Sequence, residues 1–225
     1  MNILTIKALA GFLNLLVILS LSLFLSAWSL DFWEAWAFLS VFFFPVLFIT
    51  LYFLRKDPKL IERRLRVGPV AEKRMSQKLI QSIASLFFIL SFLVPGFDHR
   101  FHWSLVPTIL VIAADGILLL GFFIVFFVFK ENSYTSAVVE VGTDQKVICT
   151  GPYAVVRHPM YSGALLLFFF MPISLGSWWA LLLALPMFVV IVLRLLDEEK
   201  FLLRSLAGYG EYCQNVRYRL IPRIW

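Results

Sequence analysis

Apolar residues in this chain come in uninterrupted runs of about 20, the length a helix needs to cross a hydrocarbon layer roughly 30 Å thick. Inside lipid every backbone N–H and C=O must be satisfied internally, and a helix does this one segment at a time. The runs cover residues 6–28, 33–54, 79–95 and 104–129, and a last mostly apolar stretch covers 160–196. That stretch is too long for one straight span. Pro172, Gly176 and Ser177 near its middle divide it into two helices joined by a tight turn. The expected fold is an all-α polytopic integral membrane protein with about six transmembrane helices, the last two a hairpin. A hydrophobic share of 61% excludes an ordinary soluble domain. The first run is too long, and too poor in preceding basic residues, to read as a cleaved signal peptide.

Charge sets the expected orientation. Residues 55–78 hold nine basic side chains against Asp57, Glu62 and Glu72, which marks a cytoplasmic loop that orients the chain and touches anionic lipid heads. The net charge of +6 is read in the same way, not as a nucleic-acid surface. Trp28, Trp33 and Trp36 lie around the first turn as interfacial anchors. Parity then places residues 130–159 and the tail 197–225 on the same side as the basic loop. Cys149 and Cys213 fall there too, and are expected to be reduced. The tail, with Phe201, Leu202, Leu203 and Leu206, is expected to lie along the interface.

Polar residues elsewhere are few. Residues 96–103 read as a short outer loop whose Asp98, His99 and His102 are either a metal site or, as favoured here, a wet surface. Asp115 sits inside the fourth run and is expected as a neutral carboxyl bonded to Asn14 or a serine of the first run. Asn14, Ser20, Ser22 and Ser26 are expected to help helices pack.

The stretch 151–163, GPYAVVRHPMYSG, sets Arg157, His158 and Tyr161, all able to bond polar ligand groups, between two long apolar runs. Pro159 disfavours helix at His158 and suits the first turn of a helix beginning there, so Arg157 and His158 are held at a helix doorway. Ahead of it, residues 137–141 and 146–149 flank 142–145 as a hairpin or a pair of extended arms. Asp197, Glu198 and Glu199 stand at the far end of the last apolar hairpin, which folds them back beside the doorway. Arginine, histidine and carboxylates in one cluster suit a zwitterion: cations for its carboxylate, acids for its ammonium or for ribose hydroxyls. The blander alternative is that residues 197–200 only charge a helix emerging into water.

The residues Gly151-Pro-Tyr153, Arg157-His-Pro-Met-Tyr161, Gly163, Glu198-Glu199 and Tyr209-x-x-Tyr212 resemble the isoprenylcysteine carboxyl methyltransferase family and related phospholipid methyltransferases. The resemblance covers roughly residues 130–222. It implies an S-adenosylmethionine-dependent methyltransferase with a cytoplasmic cofactor pocket and a lipid or lipidated substrate, such as a prenylcysteine carboxylate, entering sideways from the bilayer. It implies donor binding by Val147 on the loop, by Gly151, Pro152 and Tyr153, by Arg157, His158, Pro159, Tyr161 and Gly163, and by Glu198 and Glu199. It further implies catalytic roles for Arg157, Arg194 and Glu198, although Arg194 is four residues from Glu198 and also suits a plain ion pair on one helix face. The division that follows is four helices in 1–130 and a methyltransferase core in 131–225. The membrane would be the inner or plasma membrane of a prokaryote, or the endoplasmic reticulum of a eukaryote. Residues 216–222 also resemble the C-terminus of NADPH-dependent sterol reductases. That leaves a lipid reductase, and a non-enzymatic lipid-binding protein, as alternatives.

Overall fold

Helices dominate because the apolar runs have no other way to satisfy their backbones in lipid. The computed structural model describes residues 2–142 and 145–225. In chain order the helices are α1 (Ile3–Ala27), α2 (Trp33–Lys56), α3 (Pro58–Arg64), α4 (Met75–Phe101), α5 (Thr108–Glu131), α6 (Pro159–Ser174), α7 (Trp178–Leu181), α8 (Ala184–Ser205) and α9 (Tyr209–Asn215), with 3-10 turns at Pro69–Ala71 and Gly151–Ala154. Among the described residues α1, α2, α4, α5 and the segment Trp178–Ser205 are long and apolar enough to cross a membrane, and α6 is a shorter apolar helix. Leu13, Val17, Leu21 and Leu25, spaced by four on α1, are all exposed. A stripe of that kind is lipid-facing in a membrane protein.

Two close crossings fix the bundle. A Cβ on Gly96 of α4 would lie 2.7 Å from the Leu23 carbonyl oxygen of α1 and closer still to the Ser26 hydroxyl. On α6, a Cβ at Gly163 would stand 3.2 Å from the Gly121 carbonyl of α5. Glycine at both points lets backbones approach, the usual way helices associate without a hydrophobic drive between them. Around the crossings lie two aromatic cores: Phe32, Phe38, Phe43 and Phe92 with Leu19 and Leu23, and Phe53, Phe122 and Phe129 with Leu60 and Val128.

The expected hairpin of α6 and the Trp178–Ser205 segment forms. Its turn carries Gly176 at φ +70°, and Ser177 caps α7 by accepting from the Ala180 N–H at 3.0 Å. The expected outer loop at 96–103 does not form as such. Helix α4 runs on to Phe101 because Gly96 packs against α1 and Asp98 finds partners inside the protein. Asp98 is 1% exposed and accepts from the Ser104 N–H at 2.8 Å and the Ser104 and Ser177 hydroxyls at 2.5 Å. Asp98 is therefore not part of a wet surface, whereas His102 is exposed as expected. No group of three His, Cys, Asp or Glu side chains among the described residues is placed to hold a metal.

Three smaller expectations are corrected as well. The partner of Asp115 is Ser174 of α6, not Asn14, which is exposed. Ser26 is buried at the α1–α4 crossing, as expected, whereas Ser22 bonds back to the Ile18 carbonyl of its own helix. Between α5 and α6 the described residues contain no strand, so no hairpin ladder exists there. Gln145 N–H donates to the Gly142 carbonyl at 3.2 Å, and Gly142 N–H to Gln145 Oε1 at 2.9 Å. Thr143 and Asp144, which belong to that expected turn, lie outside the described residues. The arms do not pair because their backbone groups go to side chains: Val139 N–H donates to Glu72 and the Ala137 carbonyl accepts from Arg194.

Candidate active site

The doorway is built by a proline and a strap. His158 has φ −126° and ψ 61°, outside the helical region, and α6 starts at Pro159. The two N–H groups left outside the helix are not orphaned. Arg157 N–H donates to the Tyr218 carbonyl and His158 N–H to the Arg219 carbonyl, each at 2.9 Å, and Ser162 Oγ donates to the Leu220 carbonyl at 2.6 Å. The tail at 218–220 therefore holds the doorway like an added strand edge, though no sheet forms.

Helix α8 delivers the acids to the same place. Glu199 lies 3.2 Å from Arg157 Nε, 3.3 Å from His158 Nε2 and 2.8 Å from Arg219 Nε. Glu198 accepts from the Tyr161 hydroxyl at 2.5 Å. Both ends of the last apolar hairpin thus meet through side chains. The Arg157 contact is ionic only: its Nε is buried and makes no hydrogen bond of proper angle. The neighbouring carboxylates have divided the work, Glu199 facing Arg157, His158 and Arg219 while Glu198 faces a cavity.

That cavity has a volume of about 320 Å³, within the range of small-molecule sites. Of the residues expected from the sequence, Val147, Tyr153, Arg157, His158, Pro159, Tyr161, Arg194 and Glu198 line it. Gly151, Pro152, Gly163 and Glu199 do not. Gly163 serves the α5–α6 crossing, and Gly151 adopts φ +56° where a Cβ would lie 3.0 Å from the Glu131 carboxylate. Tyr209 and Tyr212 complete one wall, with Tyr209 Oη 3.4 Å from His158 Nε2 and Tyr212 Oη donating to the Tyr153 carbonyl at 2.8 Å.

The basic segment enters the site against expectation. Arg64 at the end of α3 and Gln81 on α4 line the cavity, and Glu72 reaches its wall. Arg194 does not pair with Glu198. Its Nη2 donates to Glu72 Oε1 at 2.9 Å and to the Ala137 carbonyl at 2.8 Å, Nη1 to Gln81 at 2.8 Å, and Nε to Tyr161 Oη at 3.2 Å. Nothing in the sequence marks Glu72 or Arg64 for this, because their partners lie some 70–120 positions away.

Burial tunes the wall. It pushes the Tyr153 phenol up to about 12, an effect the Asn132 hydrogen bond partly opposes, and it raises Tyr209 and Tyr212 as well. These phenols are neutral donors at physiological pH. Burial lowers Arg64 to about 10, which leaves it a cation at neutral pH.

Residues 109–208 match the family model described as phospholipid methyltransferase. This segment belongs to that family. The family takes in the isoprenylcysteine carboxyl methyltransferases, so the resemblance carried by the 151–163 motif holds. No curated protein matches the chain. The match indicates a membrane-bound methyltransferase and spans the doorway, Arg194 and the glutamate pair. Arg64, Gln81, Tyr209 and Tyr212 lie outside the matched segment, yet they line its cavity, and Glu72 and the tail strap, also outside it, hold residues of the wall.

Proposed function

We propose that this protein transfers a methyl group from S-adenosylmethionine to a lipid-like acceptor at the cytoplasmic face of its membrane, a prenylcysteine carboxylate being one acceptor of suitable chemistry. The observation that carries the reading is the position of Glu198. It is a carboxylate on the cavity wall bonded to a neutral phenol, and the same wall holds Arg157 with an unsatisfied buried N–H. A donor with an ammonium, a carboxylate and ribose hydroxyls fits such a set: Glu198 for the ammonium or ribose, Arg157 and His158 for anionic oxygens, Tyr153 and Tyr161 for the walls.

When bound, S-adenosylmethionine supplies an already activated sulfonium methyl. The protein's task is therefore placement and exclusion of water more than proton transfer. Arg194 holds Tyr161, and Tyr161 holds Glu198, so the carboxylate has one orientation before any ligand arrives. Arg157 and His158 are fixed by the strap and by Glu199. A carboxylate acceptor needs no proton removed. An amine acceptor must be neutral, and Glu198, one of two carboxylates on the wall with Glu140, would accept its proton.

The tail arginines argue against a nucleotide-phosphate site. Arg219 is engaged by Glu199, while Arg217 and Arg223 are exposed and off the cavity wall. Calorimetric titration of the detergent-solubilised protein tests the reading. Saturable S-adenosylmethionine binding is expected, weakened about tenfold or more by Glu198→Ala and Arg157→Ala. NADPH binding in its place would install the reductase reading.

A further inference from the structure

The basic side chains around the cavity are unequal: Lys146 on its rim makes no ion pair among the described residues but is exposed to water, and the arginines differ among themselves. Arg157 and Arg219 face Glu199, Arg194 faces Glu72, and Arg74, close by, faces Asp197 at 2.9 Å. Arg64 also lines the cavity, but among the described residues no carboxylate stands within ion-pair distance of it. Its Nη1 donates to the Ser136 carbonyl at 3.0 Å, and its guanidinium carbon lies 5.1 Å over the Phe129 ring. A planar guanidinium fixed at one nitrogen, seated on an aromatic face and with no counter-charge among the described residues, still has N–H donors to offer an oxyanion.

The location says which molecule would bring that anion. Phe129 belongs to the aromatic core shared by α2, α3 and α5, and Tyr153 and Met160, two further cavity residues, pack against the same core. Arg64 therefore stands where the polar cavity borders the apolar helices. Glu198, the carboxylate assigned to the donor, is on α8 and makes no ion pair with Arg64. Arg194, for which the family resemblance implies a catalytic role, already spends its three nitrogens on Tyr161, Gln81, Glu72 and Ala137.

We propose that Arg64 binds the anionic head, carboxylate or phosphate, of the amphiphilic acceptor, and so restricts acceptors to those carrying an oxyanion beside an apolar chain. This rests on the methyl-transfer reading for what the anion is doing there, but not for its binding.

The full chain in neutral detergent is titrated with N-acetyl-S-farnesylcysteine, farnesyl phosphate and farnesol by thermophoresis, and with S-adenosylmethionine by calorimetry. At least one anion is expected to bind about tenfold tighter than farnesol. Arg64→Gln should erase that preference while changing farnesol affinity less than about twofold, and Arg64→Lys should keep part of it. Whichever anion is preferred identifies carboxylate or phosphate as the recognised group. Absence of any preference in the wild type overturns the proposal. An equal loss for all three amphiphiles in Arg64→Gln assigns the residue to packing and overturns it too. Loss of S-adenosylmethionine binding with the preference intact would assign Arg64 to the donor and overturn it likewise. If the wild type binds no S-adenosylmethionine but shows an Arg64-dependent anion preference, the methyl-transfer reading falls and this one stands.

Discussion

Arg194 on α8 and Glu72 in the basic segment form an ion pair, 2.9 Å from Nη2 to Oε1, that ties sequence positions 122 apart into one wall. Glu72 is 1% exposed at its side chain and Arg194 12%, so the pair is held away from water. Val139 N–H also donates to Glu72, at 3.2 Å, which pins the segment between α5 and α6 to the same point.

Removing Glu72 should accordingly do more than delete a surface charge. Glu72→Ala is expected to cost about 3–5 kcal/mol, the usual penalty for stranding one partner of a buried pair. It should also weaken donor binding through Tyr161 and Glu198. Thermal unfolding in detergent and calorimetry read the two effects. Glu72→Ala with Arg194→Met should recover part of the stability, since an apolar pair leaves no stranded charge. Absence of any recovery would show that the pair is not the unit of stabilisation.

The adjacent glutamates should separate cleanly. Glu199 meets Arg157, His158 and Arg219, so Glu199→Ala strands the two arginines and is expected to lower stability by about 3 kcal/mol or more. Glu198→Ala removes one phenol hydrogen bond and should cost about 1 kcal/mol, while weakening donor binding tenfold or more. Equal melting temperatures for the two variants would contradict the division of labour read from the structure.

Much of this is legible in the sequence, and the limits are instructive. Apolar run length announces the helices, and Pro159 after Arg157-His158 announces the doorway, because both signals are local. The hairpin turn at Gly176 is legible for the same reason. Gly96 reads as the start of a loop, since glycine after Pro95 looks like a turn, and only the position of Leu23 on α1 reveals a crossing. The dual roles of Glu198 and Glu199 are illegible, since neighbouring residues on a helix point about 100° apart and nothing local says which one meets cations. Arg64 and Glu72 look like ordinary loop charges because their meaning lies in α5, α8 and the segment after α5.

Gly96 offers a direct test of the α1–α4 contact. Gly96→Ala should destabilise by about 1–3 kcal/mol through overpacking. The Ser26 hydroxyl can turn away, but the Leu23 carbonyl at 2.7 Å is backbone and cannot. Ser26→Ala in the same chain should therefore rescue only partly. Full rescue would mean that the side chain, not the backbone, limits the approach. The readout is the melting temperature in detergent.

Alkaline pH should weaken the fold, with Arg64 opposing the trend. Tyr153 is raised from 10 to about 12, so the folded state keeps a proton that the unfolded chain releases in that window. Stability carried by the neutral phenol is full below pH 10 and is lost as pH rises towards 12, each tenfold difference in proton affinity being worth about 1.4 kcal/mol. Tyr209 and Tyr212 act in the same direction. Arg64 has the opposite sign: lowered from 12.5 to about 10, it gives up its proton first in the folded state, so stability gains as pH rises through that interval. The net expectation is a melting temperature independent of these groups from about pH 7 to 9 and falling above about pH 10. Arg64→Gln should steepen the fall and Tyr153→Phe should flatten it. Melting curves between about pH 8 and 12 on the three proteins measure this, and identical slopes would remove Tyr153 and Arg64 from the account.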